Sequence, residues 1–186
     1  MRFSMLRITG GNPVLSGAEE GRKLLAALIA QVQPTAEPTT AFLDFFQVAV
    51  VTASFLRESV LKFRDYARSA TNVYPVIANV SATVLEELEY FLKSCGEAIW
   101  VCELDDQDRP LNARIIGALD QTEKDTFEMV SRLGRATAPE LAAAAPNAGI
   151  KSTAWNNRLA SLADKGLLFQ GRVGKTKFFT PVLEMS

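Results

Sequence analysis

The stretch "KSTAWNNRLASLADKGLLFQGRVGKTKFF" brings together side chains with the chemistry to bind a nucleic acid. Two amides and one guanidinium, from Asn156, Asn157 and Arg158, can bond to base edges, as Asn does to adenine and Arg to guanine. The hydroxyls of Ser152 and Thr153 lie at the start of a predicted helix, where backbone N–H groups can also take a phosphate. This pattern therefore favours contact with the bases and phosphates of DNA.

Three further cations follow on a predicted β-hairpin. "LLFQGR" and "KFFTPV" have strand character around the turn "VGKT", and the hairpin carries Arg172, Lys175 and Lys177. Residues 151–180 hold six basic side chains and one acidic one, a local net charge of +5, whereas residues 1–119 hold 11 basic and 14 acidic ones. A basic segment on an acidic body is typical of a surface that faces a polyanion.

Three helices are predicted before this hairpin. The first follows Thr122 as N-cap, the second follows Thr137, and the third follows Ser152 and ends at Gly166. A turn at 147–149 separates the second helix from the third. Apolar residues at helical spacing predict the buried faces of the first helix (Phe127, Val130 and Leu133) and of the third (Trp155, Leu159 and Leu162).

Three helices followed by a hairpin is the plan of a winged helix-turn-helix. From "TAPELAAAAP" to "KFFTP", and over 120–182 as a whole, the sequence resembles the winged helix-turn-helix domains of bacterial transcription regulators. The resemblance implies that the third helix enters the major groove of double-stranded DNA. It also implies that the hairpin is a wing whose cations reach the backbone or the minor groove. Since winged helices commonly work as pairs, a homodimer is expected.

Two alternatives stay open for this segment. In the first, Ser152 only caps its helix, and the asparagines and the cations of the hairpin are simply solvated. In the second, the winged helix binds a protein instead of DNA. The chain is then an interaction switch or adaptor of an anti-sigma-type partner-switching pathway.

Residues 1–117 alternate strand and helix patterns. "RFSMLRIT", "AFLDFFQVAVV", "YPVIANV" and "AIWVCEL" are predicted strands, and helices are predicted after Ser16, from "TASFLRESV" onward and after Ser81. The apolar run "AFLDFFQVAVV" is typical of a central strand buried on both faces. The pattern predicts an α/β domain at 1–117, with a mostly parallel sheet and helices packed on it, joined to a winged domain at 118–186.

"AFLDFFQVAVVTASFLRESVL" resembles the STAS domains of anti-anti-sigma factors, and more closely a STAS-like group found in bacterial regulators. Leu43 and Asp44 match the family's LD-type pair, and Ser54 falls where the family has a phosphorylatable serine. The resemblance implies that a signal, a kinase or another protein partner acts at Thr52 and Ser54. The alternative, which we favour, is that Thr52 or Ser54 only caps the helix.

Composition excludes several classes of catalyst. The 186 residues include no histidine, so a Ser-His-Asp or Cys-His catalytic unit is impossible. Two cysteines alone make a poor zinc site, and Cys95 and Cys102 are expected to be reduced, buried small side chains. An enzyme would need carboxylates converging on a pocket near Asp44. We therefore expect no enzymatic activity, no metal and no cofactor.

The remaining features indicate a cytoplasmic protein. No apolar run approaches the roughly 18 residues that cross a bilayer, and the N-terminus lacks the apolar core of a signal peptide. The sequence therefore predicts a cytoplasmic DNA-binding transcription regulator. Its C-terminal winged helix binds the duplex, and its N-terminal STAS-like domain senses a signal or docks a partner.

Overall fold

A computed structural model describes residues 1–146 and 149–185. The chain divides into two compact units, Met1–Ala118 and Leu119–Glu184. The fold class is mixed α/β with a mostly parallel central sheet, which confirms that part of the prediction. None of the helices in these described ranges combines the length and the apolar character needed to cross a membrane.

The N-terminal unit is built on a five-stranded sheet with strand order β1-β3-β5-β6-β7. The first three pairings in this order are parallel, and β6 pairs with β7 antiparallel. A separate two-stranded parallel ribbon joins β2 to β4. The strands are β1 (Arg2–Ser4), β2 (Val14–Leu15), β3 (Thr39–Asp44), β4 (Val50–Val51), β5 (Val73–Ala78), β6 (Ala98–Leu104) and β7 (Pro110–Gly117).

Helices connect the parallel strands. A short helix, α1 (Met5–Ile8), follows β1, and α2 (Ala18–Gln31) leads to β3. The connection from β4 to β5 is one continuous helical stretch in which α3 (Ala53–Leu56) and α4 (Lys62–Tyr66) are each followed by a wide π-helical turn. The last crossover is α5 (Ala82–Cys95), which Ser81 caps through a bond to the Val84 N–H. Ser81 therefore acts as the sequence predicts.

Apolar side chains from these helices pack on the sheet. The cluster includes Leu24 and Leu28 of α2, Phe55 of α3 and Leu88 of α5, each at most 2% exposed. All six residues of β5 are buried, as the run "YPVIANV" predicts for an interior strand. Burial of this kind provides most of the free energy that holds the unit together.

Two predicted strands are shorter than expected. "AFLDFFQVAVV" does not run as one strand: β3 ends at Asp44, whose carboxylate accepts the Phe46 N–H at 3.0 Å. Gln47 then adopts a φ of 64°, so the chain turns before β4 begins. In "RFSMLRIT" only Arg2–Ser4 is extended, because Ser4 accepts the Arg7 N–H and starts α1. Short-range side-chain bonds to the backbone thus interrupt both predicted strands.

The described residues of the C-terminal unit form three α-helices and a hairpin. They are α6 (Gln121–Leu133), α7 (Ala138–Ala144), α8 (Ser152–Asp164), β8 (Leu168–Val173) and β9 (Thr176–Pro181). Ala136, between α6 and α7, forms an antiparallel bridge with Phe179 of β9. The predicted turn at 147–149 lies partly outside the described residues.

Three of the predicted helix starts are wrong in detail. The first is α2, which begins after Gly17 with no side-chain cap, so Ser16 does not cap it. The second is α6, which begins after Asp120 instead of Thr122, because Asp120 and Glu123 form a reciprocal capping box. The third is α8, in which Lys151 occupies the N-cap position and Ser152 is the first helical residue. Thr137, in contrast, caps α7 in a capping box with Glu140.

The inward faces of α6 and α8 are largely as predicted. Phe127 and Val130 are 3% and 0% exposed, but Leu133, in the last turn of α6, is 51% exposed. Trp155, Leu159 and Leu162 of α8 are at most 3% exposed, so the predicted stripe on this helix is confirmed.

Candidate functional site

The face of α8 opposite its buried stripe is polar and open to solvent. Ser152, Thr153, Asn156 and Asn157 are all exposed. Because the indole and the two leucines fix the rotation of the helix, these four side chains cannot turn inward without unpacking the core. The structure therefore brings the predicted hydroxyls and amides together on one accessible surface.

Arg158 differs from its neighbours. It is half-buried, and its guanidinium carbon lies 5.0 Å from the centre of the Trp155 ring. A guanidinium at this distance is attracted to the electron-rich face of the indole. The side chain is thus held along the helix, next to its own core residue, instead of extending from the exposed face.

The N-terminus of α8 has no side-chain cap. Lys151 occupies the N-cap position, and no side chain of the described residues bonds to the first turn there. The prediction that Ser152 caps this helix is therefore wrong, since Ser152 is its first helical residue. The N–H groups of the first turn are the ones that a helix leaves without an internal partner. In α8 the Ala154 N–H donates to the Lys151 carbonyl at 2.9 Å, so the N–H groups of Ser152 and Thr153 are the ones that could bind an anion such as phosphate.

A buried acid fixes the other end of α8. Glu123 of α6, 9% exposed, bonds to the Lys165 Nζ at 2.8 Å and accepts the Ser161 hydroxyl at 2.8 Å. It also accepts the Asp120 N–H at 3.2 Å within the capping box. Sequence reasoning missed the capping box between Asp120 and Glu123, although the spacing Asp-x-x-Glu is its signal. Lys165 is neutralised inside the unit, so it is not part of a surface for a polyanion.

The hairpin presents its cations without compensation. Arg172 and Lys177 are exposed and lie directly opposite each other in the β8–β9 register, while Lys175 lies in the turn. Among the described residues, none of the three forms a salt bridge within 4.0 Å. Like charges directly across a strand pair destabilise the sheet. This arrangement is one that a bound anion would relieve.

Arg135 is a further exposed cation that sequence reasoning missed. Its guanidinium lies 3.6 Å from the centre of the Phe178 ring, on the hairpin. The same ring lies against Gly171, where an added Cβ would come within 2.1 Å of it. No local sequence pattern signals this contact, because Arg135 belongs to the connection between α6 and α7.

Thr52 and Ser54 lie together in the N-terminal unit, but neither side chain caps α3. The Thr52 hydroxyl oxygen instead accepts the Gly17 N–H at 3.2 Å and lies 3.3 Å from the Ser54 hydroxyl oxygen. Thr52 occupies the N-cap position of α3, as the capping interpretation requires, but its hydroxyl makes no capping bond to the first turn. Through its bond to Gly17, Thr52 connects the start of α3 to the start of α2.

The Asp44 carboxylate is fully engaged in the fold. It accepts bonds from the Arg2 guanidinium at 2.7 and 3.0 Å, from the Asn79 amide at 2.8 Å and from the Phe46 N–H. The Asn79 side-chain oxygen in turn accepts the Leu104 N–H. Asp44, the last residue of β3, thus binds Arg2 of β1 and Asn79 just after β5, which is a structural role.

The two cysteines have different environments. Cys102 is buried, as expected, and burial raises the pKa of its thiol to about 12. Cys95 is exposed, so the prediction that both are buried is wrong for this residue. Its thiol donates to the Phe91 carbonyl at 3.2 Å.

This difference predicts selective alkylation. With a pKa near 12, the Cys102 thiolate at pH 8 is about 10³ times scarcer than for a thiol of pKa 9.0. Native protein treated with iodoacetamide should take up one label, at Cys95, and a second only after unfolding. Peptide mass mapping identifies the labelled residue. Rapid labelling of Cys102 in native protein would contradict the burial of its thiol.

A scan against models of protein families found no match to this chain, and a search of curated proteins found no relative.

Proposed function

We propose that this protein is a cytoplasmic DNA-binding transcription regulator that acts as a homodimer. In the proposal, the C-terminal unit is a winged helix-turn-helix in which α8 is the recognition helix and the β8–β9 hairpin is the wing. The N-terminal unit is a STAS-like domain that senses a signal or docks a protein partner. The ligand of the C-terminal unit in this proposal is double-stranded DNA.

One observation carries the DNA-binding part of this proposal. A helix with an exposed amide and hydroxyl face lies in the same small unit as a hairpin with uncompensated cations. Amides bond to base edges, and cations release counterions from phosphates, so the two surfaces supply sequence readout and affinity respectively. The order of three helices and a hairpin, with Ala136 bridging to β9, agrees with a winged fold.

A second observation supports partner docking by the N-terminal unit. Val14 and Val50, directly paired in the β2–β4 ribbon, are 43% and 42% exposed, and Phe46 is 59% exposed. The ribbon leads directly into Thr52 and Ser54. Exposed apolar side chains beside hydroxyls that can be modified are suited to a protein contact.

Mobility shift with the full chain and random-sequence duplex tests DNA binding. We expect binding at low salt. The logarithm of the affinity should fall linearly with the logarithm of the salt concentration, with a slope of about −0.9 for each phosphate contacted. On a duplex selected by the wild-type chain, Asn157→Ala combined with Arg158→Ala should abolish specific binding. An adaptor that binds only protein would shift no duplex at any salt concentration.

Phe46→Ser is the matched control in the other unit. If the two units have separate roles, this variant binds DNA with unchanged affinity. A loss of DNA affinity in Phe46→Ser would contradict the separation of docking from DNA binding.

A further inference from the structure

The exposed face of α8 has a centre and two flanks. At about 100° per residue, Asn157 lies opposite the middle of the stripe formed by Trp155, Leu159 and Leu162. Thr153 lies one turn before Asn157, and Ala160 lies nearly one turn after it. The centre of this face is therefore the exposed Asn157 amide, with the exposed Thr153 before it and the half-buried Ala160 after it.

The cations of this segment lie away from that centre. Arg158 is about 100° round the helix from Asn157, half-buried and stacked on Trp155. Lys165 is bound to Glu123. Lys151 precedes the helix, at the end where phosphates are expected. No guanidinium or ammonium therefore occupies the middle of the exposed face.

This distribution matters because base pairs differ in what they offer in the major groove. Guanine is read most often by Arg or Lys, through its O6 and N7 acceptors. Adenine offers the N7 acceptor and the N6 donor, which match the two ends of an Asn amide. The methyl group of thymine is contacted by apolar groups such as the methyls of Thr and Ala.

We propose that α8 reads adenine–thymine base pairs, with the Asn157 amide on an adenine and the Thr153 methyl against a neighbouring thymine. Arg158 is a positioning residue that braces the helix through Trp155. This inference rests on the proposed DNA-binding function. It goes beyond it by naming the class of base pair that the helix recognises.

Selection from a random duplex library with the full wild-type chain tests the proposal. We expect adenine at one invariant position of the selected site. Placing 7-deazaadenine there removes the N7 acceptor and should weaken binding roughly 10-fold to 100-fold. Uracil in place of the neighbouring thymine removes only a methyl group, and it should weaken binding several-fold.

Variants of exposed residues separate the roles of the side chains. Asn157→Ala should bind the adenine and 7-deazaadenine duplexes equally. Gln121→Ala, which removes an exposed amide from α6 of the same unit, should keep the wild-type discrimination. Arg158→Ala should weaken binding to every duplex by a similar factor and preserve the preference for adenine. Removing a residue that contacts a base would instead change the preference at that base.

The outcomes distinguish this inference from the function on which it rests. An invariant guanine whose preference disappears in Arg158→Ala would overturn the adenine reading, while DNA binding itself would stand. The adenine reading would also be overturned if Asn157→Ala discriminated between the adenine and 7-deazaadenine duplexes as well as the wild type does. If the wild-type chain binds no duplex at low salt, the inference and the proposed function both fail.

Discussion

Trp155→Ala is expected to unfold the C-terminal unit or bring it close to unfolding. The indole is 3% exposed and begins the stripe that joins α8 to the rest of its unit. Replacing a buried Trp with Ala costs about 3–5 kcal/mol, from lost transfer free energy and the cavity that is left. The unit Leu119–Glu184 is small. At typical values per residue its whole stability is roughly 3–10 kcal/mol.

Hydrogen exchange of the full chain measures this effect by element. The amides of α8 should lose most of their protection in Trp155→Ala, while Trp100, fully buried in β6, remains as a fluorescent reporter of the N-terminal unit. Asn156→Ala, at the next and exposed position, should change stability by less than about 0.5 kcal/mol. Unchanged protection of α8 in Trp155→Ala would contradict the packing of this helix.

Trp155→Phe sharpens the comparison. The indole N–H is buried and has no partner among the described residues, so removing it forfeits no hydrogen bond. The phenyl ring also keeps an aromatic face for Arg158. This variant should therefore lose much less stability than the alanine variant.

The sequence predicted best those elements whose pattern depends on burial alone. β5 is buried at every residue, and its apolar run indicated this directly. The α8 stripe recurs at helical spacing, so its three core residues could be named without coordinates. Because Asn156 and Asn157 lie outside that stripe on the helix, their exposure could also be predicted.

Contacts that join distant residues could not be predicted in this way. Glu123 meets Lys165 across 42 positions, and the Asp44 network joins β1, β3 and β5. Arg158 lies in a strongly polar stretch, and only the position of its guanidinium beside Trp155 separates it from the asparagines. Charge and periodicity indicate which residues are polar, but not which polar groups bind one another.

Replacing Arg172, Lys175 and Lys177 together with alanine should change DNA affinity and stability in opposite directions. Three lost phosphate contacts reduce the salt slope of log affinity by about 2.7 and weaken binding on the order of 10²-fold. Arg172 and Lys177 lie directly opposite each other, so removing their charge repulsion should stabilise the free hairpin by roughly 0.2–1 kcal/mol. Salt titrations of affinity and thermal unfolding of the free chain measure the two effects.

The sign of the stability change separates a binding role from a structural one. If these cations only kept the hairpin soluble and folded, removing them would lower stability and leave the salt slope unchanged. Lys62→Ala, which removes an exposed lysine paired with Glu58 in the N-terminal unit, is the matched control and should leave the slope intact. A gain in stability together with a smaller salt slope would support a binding role for these cations, because alanine would then be the more stable residue on the free surface.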